Sequence, residues 1–182
     1  MTWNQSNEQD NQPKDQVEVI IKENKSLKND LDVIMWATDS AFWDYNCQTK
    51  KIKYSEKKAQ LLGYTSEELG NDPLKIAKLI HPDDYEKAMT AMDNLLGGVT
   101  ETYEVDYRII TKDGSWKWFY DKGKIVERDR QGNPIRVVGV TKDISDKKKA
   151  TIELQQRKQW LKNTDHRKYD DDALINLFDV NV

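Results

Sequence analysis

The segment 103–145 constrains the fold of this chain more than any other part of the sequence. Apolar and polar residues alternate over 103–110 and again over 116–120, which is the period of a half-buried β-strand. The dipeptide Asp113-Gly114 between them is typical of a hairpin turn. A second turn and a third strand, 135–144, follow, and a polar helical pattern begins directly afterwards. The sequence therefore predicts three consecutive strands that pass into a helix, an arrangement that favours a sensor over an enzyme.

Composition and charge exclude several classes of function. The chain has 182 residues, a net charge of -3 and 34% charged residues, so we expect part of it to lie outside a packed core. An acidic balance argues against binding nucleic-acid phosphates. The sequence has neither an apolar run long enough to span a bilayer nor a secretory signal. A single cysteine excludes an internal disulfide and fits a reducing compartment. We expect a cytoplasmic protein, or a cytoplasmic piece of a larger one.

The N-terminal region divides into a polar tail and a helix. Residues 1–16 are rich in Asn, Gln and Asp and have no apolar period, which predicts a disordered tail. Residues 17–38 predict an amphipathic helix whose apolar positions recur at spacings of three and four. This heptad seam consists of Val17, Ile20, Asn24, Leu27, Leu31 and Ile34. Two interpretations stay open: a coiled-coil seam between two copies, or one helix lying on its own domain.

Short strands and capped helices occupy the middle of the chain. Strands are predicted at 41–45 and 51–54, joined by a polar turn. Ser55 is a helix-starting residue, and Gly63 is a typical helix-ending one. Thr65, with a glutamate three residues later, predicts a capping box.

The longest helix of this middle region is predicted at 85–96. It is preceded by His81-Pro82-Asp83-Asp84, which places a proline at the first helical position and two carboxylates at the positive end of the helix dipole. Helix capping thus accounts for this motif without any catalytic role.

The C-terminal third contains one unusual strand residue and a polar helix. Gly139 lies in the middle of the last strand, where a glycine indicates close approach by a helix or a ligand. Residues 147–163 predict a charged helix with sparse apolar positions, which needs a partner to be stable. Residues 164–182 predict a short helical tail of unknown role.

The order of these elements and their local motifs resemble a PAS domain of the kind common in bacterial and archaeal sensor proteins, with its C-terminal PAC motif. The resemblance covers residues 31–147 and rests on motifs that are weak singly and specific in combination. These motifs are Phe42-Trp43-Asp44, Leu62-Gly63-Tyr64-Thr65-Ser66-Glu67-Glu68-Leu69, Ile80-His81-Pro82-Asp83-Asp84, Tyr107-Arg108, Lys112-Asp113-Gly114, Trp118, Gly132-Asn133-Pro134, Gly139-Val140 and Asp143-Ile144-Ser145.

The resemblance implies an α+β fold and a signalling role. The expected domain, 39–146, has a five-stranded antiparallel sheet in the order 2-1-5-4-3, with short helices on one face and a helix at each end. Signals would pass through these flanking helices within a dimer. Asp143, Ile144 and Ser145 occupy the junction with the output helix. The residue types agree: Ile144 can anchor the helix start in the core, while Asp143 or Ser145 satisfies free amides.

The resemblance leaves any cofactor unknown. Some relatives hold flavin, haem or a small metabolite between the sheet and the long helix. The cysteine motif of flavin-binding relatives is reduced here to Asn46-Cys47 in a strand turn, and the helix 85–96 has no histidine for haem. Two histidines and one cysteine at these spacings make no metal site. A small metabolite stays open.

A ligand pocket would be lined by apolar residues of the helices and the last strands. The candidates are Ile76, Leu79, Met89, Met92, Tyr107, Ile109, Trp118 and Tyr120. Methionines and aromatic rings can line an adaptable cavity, but the same residues could fill a solid core.

The sequence offers neither a nucleophile–base pair nor a phosphate-binding loop, so we expect no enzymatic activity. The leading hypothesis is a dimeric sensory module that acts on a histidine kinase or diguanylate cyclase domain outside this chain. The alternative is a stand-alone interaction adaptor with a filled core and no ligand.

Overall fold

A computed structural model describes the backbone of residues 12–178 and the side chains of residues 16–163. Within this part of the chain, five strands form one antiparallel sheet. The strands are β1 (Ser40–Asn46), β2 (Lys51–Tyr54), β3 (Tyr103–Ile110), β4 (Trp116–Arg128) and β5 (Pro134–Asp143). Their order in the sheet is β2-β1-β5-β4-β3, as predicted.

Several of the predicted capping residues lie at helix ends. The described helices are α1 (Gln12–Ala37), α2 (Glu56–Leu62), α3 (Ser66–Leu69), α4 (Pro73–Ala77), α5 (Pro82–Leu96) and α6 (Ser145–Phe178). The Ser55 hydroxyl, however, makes no capping hydrogen bond to α2 and accepts one from the Phe42 amide instead. Gly63 ends α2 in the left-handed conformation, where a side chain would be strained. Thr65 and Glu68 form the predicted capping box of α3. The His81 imidazole accepts a hydrogen bond from the Asp83 amide at the start of α5, so capping explains this histidine.

One face of the sheet forms the core. Alternate residues of β3, beginning with Tyr103 and including Val105 and Tyr107, are buried, as the period of two predicts. Helix α5 lies against this strand, and the segment before α5 protects its open edge. There Ile80 forms an antiparallel bridge with Ile109. This bridge satisfies backbone groups at one end of the β3 edge, which would otherwise be free to pair with another strand.

The N-terminal helix differs from the prediction in its start and in its surroundings. It begins at Gln12, five residues before the predicted start, and the rest of the predicted 1–16 tail lies outside the described residues. From residue 16 to its end at Ala37, every side chain of α1 is exposed except Met35, which is partly buried. The interpretation that this helix lies on its own domain is therefore wrong.

Helix α6 follows β5 after a single residue and runs unbroken from Ser145 to Phe178. The predicted boundary between a helix at 147–163 and a separate helical tail at 164–182 is therefore not a helix end, and the last four residues of that tail lie outside the described residues. None of the helices described is both long enough and apolar enough to cross a bilayer.

Candidate functional site

A tryptophan lying on two glycines forms the floor of the site. Trp43 of β1 pairs with Gly139 of β5, and Gly139 in turn pairs with Gly123 of β4. A Cβ atom added to Gly139 would lie 2.3 Å from the Trp43 ring, and one added to Gly123 would lie 2.6 Å from it. The ring then meets Tyr103 of β3 edge-on, with 5.8 Å between ring centroids. The close approach that Gly139 indicated is thus made by a side chain of the same sheet, and not by a helix.

A cavity of about 370 Å³ opens above this floor, between the sheet and helices α4 and α5. Its size lies at the lower end of the range for small-molecule sites. Aromatic and aliphatic side chains supply most of its wall, with two lysines and two aspartates among them. The lining residues are Trp43, Tyr45, Lys50, Ile52, Tyr54, Lys58, Pro73, Leu74, Ile76, Ala77, Ile80, Met89, Met92, Asp93, Leu96, Tyr103, Tyr107 and Asp121.

A buried ion pair lies at the base of the cavity. The Lys58 side chain, on α2, is 1% exposed, and the Asp121 side chain, on β4, is 9% exposed. The Lys58 ammonium lies 3.5 Å from the Asp121 carboxylate and donates to the Thr141 hydroxyl at 2.5 Å. The Tyr107 hydroxyl donates to the other Asp121 oxygen at 2.7 Å. The buried charges are therefore paired and hydrogen-bonded, as burial requires.

Burial and the ion pair shift the pKa values of this cluster. Burial lowers the pKa of Lys58, and the neighbouring Asp121 carboxylate opposes that change. Burial, together with the same carboxylate, raises the pKa values of Tyr54, Tyr103 and Tyr107, so all three phenols stay protonated. The cluster therefore presents hydroxyl donors at neutral pH.

Some polar atoms of the cavity wall near Trp43 lack protein partners among the described residues. The hydroxyls of Tyr54 and Tyr103 lie on opposite sides of Trp43 and make no hydrogen bond to the described residues. Neither hydroxyl is fully buried. The Trp43 indole nitrogen is buried and also has no partner. A buried donor without an acceptor is costly, so this nitrogen needs a partner such as a bound water.

The structure places four of the eight predicted pocket residues in the cavity wall: Ile76, Met89, Met92 and Tyr107. Their contact with a ligand stays a prediction. Leu79 and Ile109 pack in the hydrophobic core and do not line the cavity.

Trp118 and Tyr120 lie on the opposite face of β4, which corrects their assignment to the pocket. Tyr107 pairs with Phe119, so Phe119 and Asp121 share the inner face. The sequence suggested the opposite assignment of faces. Aromatic residues alternate at 116, 118 and 120, which favours placing Trp118 and Tyr120, and not Phe119, on the inner face. The inner face includes an aspartate and a glycine, which hydropathy alone would assign to the outside.

The sequence near the remaining cavity residues contains few patterns that would predict their burial in the cavity. Trp43 was part of a motif, but only the sheet register brings it above two glycines that are 16 residues apart. Lys58 lies in a short polar helix, and its burial follows from Asp121, which is 63 residues away.

The predicted signal-transfer residues form the cap of α6. The Asp143 carboxylate accepts hydrogen bonds from the amide and the hydroxyl of Ser145, at 2.9 and 2.6 Å. Burial alone would raise the pKa of Asp143, but the bonds from Ser145 and Lys117 lower it overall. Ile144 is half-buried, so it does not anchor the helix deep in the core as expected. Its amide instead donates to the carbonyl of Trp118 at 2.8 Å.

Strand β3 connects α5 with the start of α6 through a shared carboxylate. Asp106 accepts hydrogen bonds from Lys87 of α5 and from Lys148 of α6. These two lysines lower the pKa of Asp106 to about 2. Next to it, Arg108 binds Asp84 of α5 through two nitrogens, at 2.8 and 3.0 Å.

Trp118 completes this edge of the sheet. Its ring lies beneath the Lys148 ammonium, 4.5 Å from the ring centre, and beside the Arg108 guanidinium at 5.5 Å. Its amide donates to the Ser145 hydroxyl at 3.0 Å. The helix that covers the cavity and the helix that leaves the domain thus contact the same stretch of β3 and β4.

A family model described as PAS fold matches residues 51–141, which is half of the chain. The chain belongs to the PAS family. The match extends from the start of β2 to the eighth of the ten residues of β5 and includes most of the residues that line the cavity. The predicted resemblance is therefore confirmed.

Similar curated proteins include a light-activated histidine kinase and a two-component sensor. A blue-light-activated histidine kinase of Brucella ovis is 28% identical over 71% of this chain, and a two-component sensor of Pseudomonas aeruginosa, PprA, is 35% identical over 51% of it. The chain covers 26% and 10% of these relatives' own lengths.

Solved structures show the same fold. A sensory box histidine kinase/response regulator from Burkholderia thailandensis superposes with a TM-score of 0.63 at 27% identity, covering 73% of this chain and 98% of that one. The N-terminal domain of a diguanylate cyclase with a PAS/PAC sensor from Marinobacter aquaeolei has a TM-score of 0.53 at 27% identity, covering 59% and 97%.

The PAS domain places its one cysteine and His81 away from the cavity wall. Cys47 lies in the turn after β1, where its amide donates to the carbonyl of Ile135, and burial raises the pKa of its thiol. His81 caps α5 and packs on Trp116, with 4.7 Å between ring centroids. Among the side chains described, no three His, Cys, Asp or Glu residues are grouped as metal ligands would be.

Proposed function

We propose that this chain is a non-enzymatic sensory module of the cytoplasm. A small molecule in the cavity, or a bound partner, would shift the helices around the domain. Paired flanking helices would pass that shift to a histidine kinase or diguanylate cyclase domain outside this chain. The observation that carries the proposal is the continuous set of contacts between the cavity helix α5 and the first turn of α6.

This set of contacts starts at the cavity wall. Met89 and Met92 face the cavity from α5, and Lys87 of the same helix binds Asp106 at 2.6 Å. Asp106 also binds Lys148, which lies in the first turn of α6. A ligand that moves α5 would therefore change the geometry of a carboxylate on which the output helix depends.

The relay needs two conformations of the domain for which a ligand has different affinities, because a ligand shifts a conformational equilibrium only by that difference in affinity. The contacts at Asp106 suit such a switch. They are charge-assisted and therefore directional. They are also only partly buried, so water can hydrate the separated charges when a contact breaks.

Dimerisation is proposed from the surface of α1. Five apolar positions of the predicted seam are 41–66% exposed: Val17, Ile20, Leu27, Leu31 and Ile34. An apolar stripe at heptad spacing on a solvent-exposed helix is stabilised by a second such helix. Asn24, also exposed, would lie at an a position and favour a two-stranded register.

The output is proposed from the relatives. The chain covers only 26% of the first curated relatives, which are named as blue-light-activated histidine kinases. One solved neighbour belongs to a diguanylate cyclase. The adaptor alternative assumes a filled core, and the 370 Å³ cavity favours the sensory module over it.

Hydrogen exchange of the full chain tests the relay. In Asp106→Asn, we expect amides in the first two turns of α6 to exchange about three- to tenfold faster, because a charge-assisted contact is lost. Glu104→Gln is the matched control, since Glu104 lies on the same strand and binds Lys122 and Tyr120 but none of the α6 side chains described. Unchanged exchange in α6 would remove Asp106 from the relay.

Sedimentation analysis tests the dimer. We expect the wild type to be dimeric and Leu27→Lys with Leu31→Lys to be monomeric, because two buried charges in the seam are not tolerated. Val19→Lys with Val33→Lys is the control, since these side chains are similarly exposed, at 54% and 61%, but lie off the seam. A dimer that persists in the first variant would show that α1 is not the contact.

A further inference from the structure

Of the four charged side chains that line the cavity, Lys50 and Asp93 are exposed, and Lys58 and Asp121 form a buried pair. Lys50 and Lys58 line it together with Asp93 and Asp121. Asp121 is fully engaged, since one oxygen faces Lys58 and the other accepts the Tyr107 hydroxyl at 2.7 Å. The cavity therefore has no unpaired buried charge with which to compensate a charged ligand for its lost hydration.

Two tyrosine hydroxyls next to Trp43 are free hydrogen-bond donors in the cavity wall. The Tyr54 and Tyr103 hydroxyls have no hydrogen-bond partner among the described residues, and both phenols stay protonated because burial and Asp121 raise their pKa values. They lie in one row of the sheet, on either side of Trp43. A molecule resting on the indole can present an oxygen to either hydroxyl.

We propose that the cavity selects a small, uncharged, mainly apolar ring compound with a carbonyl oxygen that accepts a hydrogen bond from Tyr54 or Tyr103. The inference rests on the proposed sensing role for its biological consequence, but not for the binding itself. The Trp43 indole nitrogen is covered by the wall, so the tyrosine hydroxyls are the primary contacts. The indole supplies the flat apolar surface beneath the ring.

Four compounds with one bicyclic skeleton test this selection: 1-indanone, indane, indane-1-carboxylate and 1-aminoindane. They differ in carrying a carbonyl oxygen, no polar group, an anion or a cation. Titrations of the full chain, followed by the nitrogen–proton signals of the tryptophan indoles, give their dissociation constants. We expect 1-indanone to bind about fivefold more tightly than indane, because one hydrogen bond is added. We expect both charged compounds to bind more weakly than indane.

Variants locate the carbonyl contact. Tyr54→Phe combined with Tyr103→Phe should reduce the advantage of 1-indanone over indane to less than about twofold, while indane binds as before. Tyr85→Phe is the control, because Tyr85 lies exposed on α5 and does not line the cavity. Should the double variant not fold, the comparison of the four compounds on the wild type decides by itself.

Three outcomes would overturn the inference: equal binding of 1-indanone and indane, tighter binding of either charged compound, or no saturable binding by any of the four. None of them bears on the relay, which hydrogen exchange in Asp106→Asn measures without a ligand. Conversely, a failed relay leaves the selectivity of the cavity intact, so the two proposals can fail separately.

Discussion

The sheet domain and helix α1 differ in how far their apolar side chains are buried. In the domain, Trp43, Phe119 and Val137 are at most 3% exposed, and even a lysine is buried against an aspartate. In α1, Leu27 and Ile34 are more than half exposed although they follow a regular heptad. The domain buries its apolar side chains against one another. Helix α1 has the apolar pattern of a core-forming helix, but its apolar side chains are exposed. The difference separates residues that hold the domain from residues available to a second molecule.

The largest effect is expected where the domain buries charge. Asp121→Ala leaves Lys58 buried without its partner, which should lower the free energy of unfolding by about 3–5 kcal/mol. Urea denaturation of each variant measures this. Lys58→Met combined with Asp121→Leu is the control and should cost far less, since no charge stays buried. Equal losses in both variants would mean that packing, and not charge, dominates this cluster.

The next effect concerns the two glycines beneath Trp43. Gly123→Ala and Gly139→Ala should each cost about 1–3 kcal/mol, because the added methyl group overlaps the indole. In a Trp43→Leu background, Gly123→Ala should lose most of its cost, because the contact that stays, with the Val138 carbonyl oxygen at 3.0 Å, is less close. Gly139→Ala should stay costly there, because its Cβ would also lie 2.5 Å from the carbonyl oxygen of Lys122. A double-mutant cycle measures the difference, and equal coupling at both glycines would contradict it.

Changes in α1 should leave the domain unaffected. At concentrations where the chain is monomeric, Leu27→Lys with Leu31→Lys should alter the domain's free energy of unfolding by less than about 0.5 kcal/mol, because both side chains are exposed. Urea denaturation followed by tryptophan fluorescence is the measurement. A loss comparable to that of Asp121→Ala would show that α1 packs on the domain, and the comparison would fail.

The smallest effect is expected from acid at the edge of the sheet. The pKa of Asp106 is lowered from 3.8 to about 2, so its stabilising contribution is complete above pH 4 and is lost as the pH falls towards 2. The urea midpoint of the wild type should therefore fall more between pH 5 and pH 2.5 than that of Asp106→Asn. Parallel curves would indicate that the lysines at Asp106 do not stabilise its charged form.

Local signals were sufficient for most element boundaries. The strand 51–54, the capping box at Thr65 and the left-handed Gly63 follow from residue types within a few positions of one another. Such features depend on backbone conformation and short-range hydrogen bonds, which the sequence shows directly. The strand order came from the family resemblance, since local patterns do not determine which strands are neighbours.

The candidate site was predicted less completely. The assignment of Trp118 and Tyr120 to the pocket failed because the inner face of β4 is set by its pairing with β3, and a shift of one residue exchanges the two faces. Lys58 and Asp121 were missed because each looks like a surface residue. Only their meeting, across 63 positions of sequence, makes burial of either tolerable.

The sequence by itself determined the elements, their caps, the heptad of α1 and membership of the PAS family, because these depend on neighbouring residues or on motifs in a particular order. The tertiary structure decided which face of each strand is inside, and it brought Trp43 onto Gly123 and Gly139. It also decided that Asp106 contacts both α5 and α6. These contacts join residues far apart in sequence, so they exist only once the sheet register and the helix positions are set.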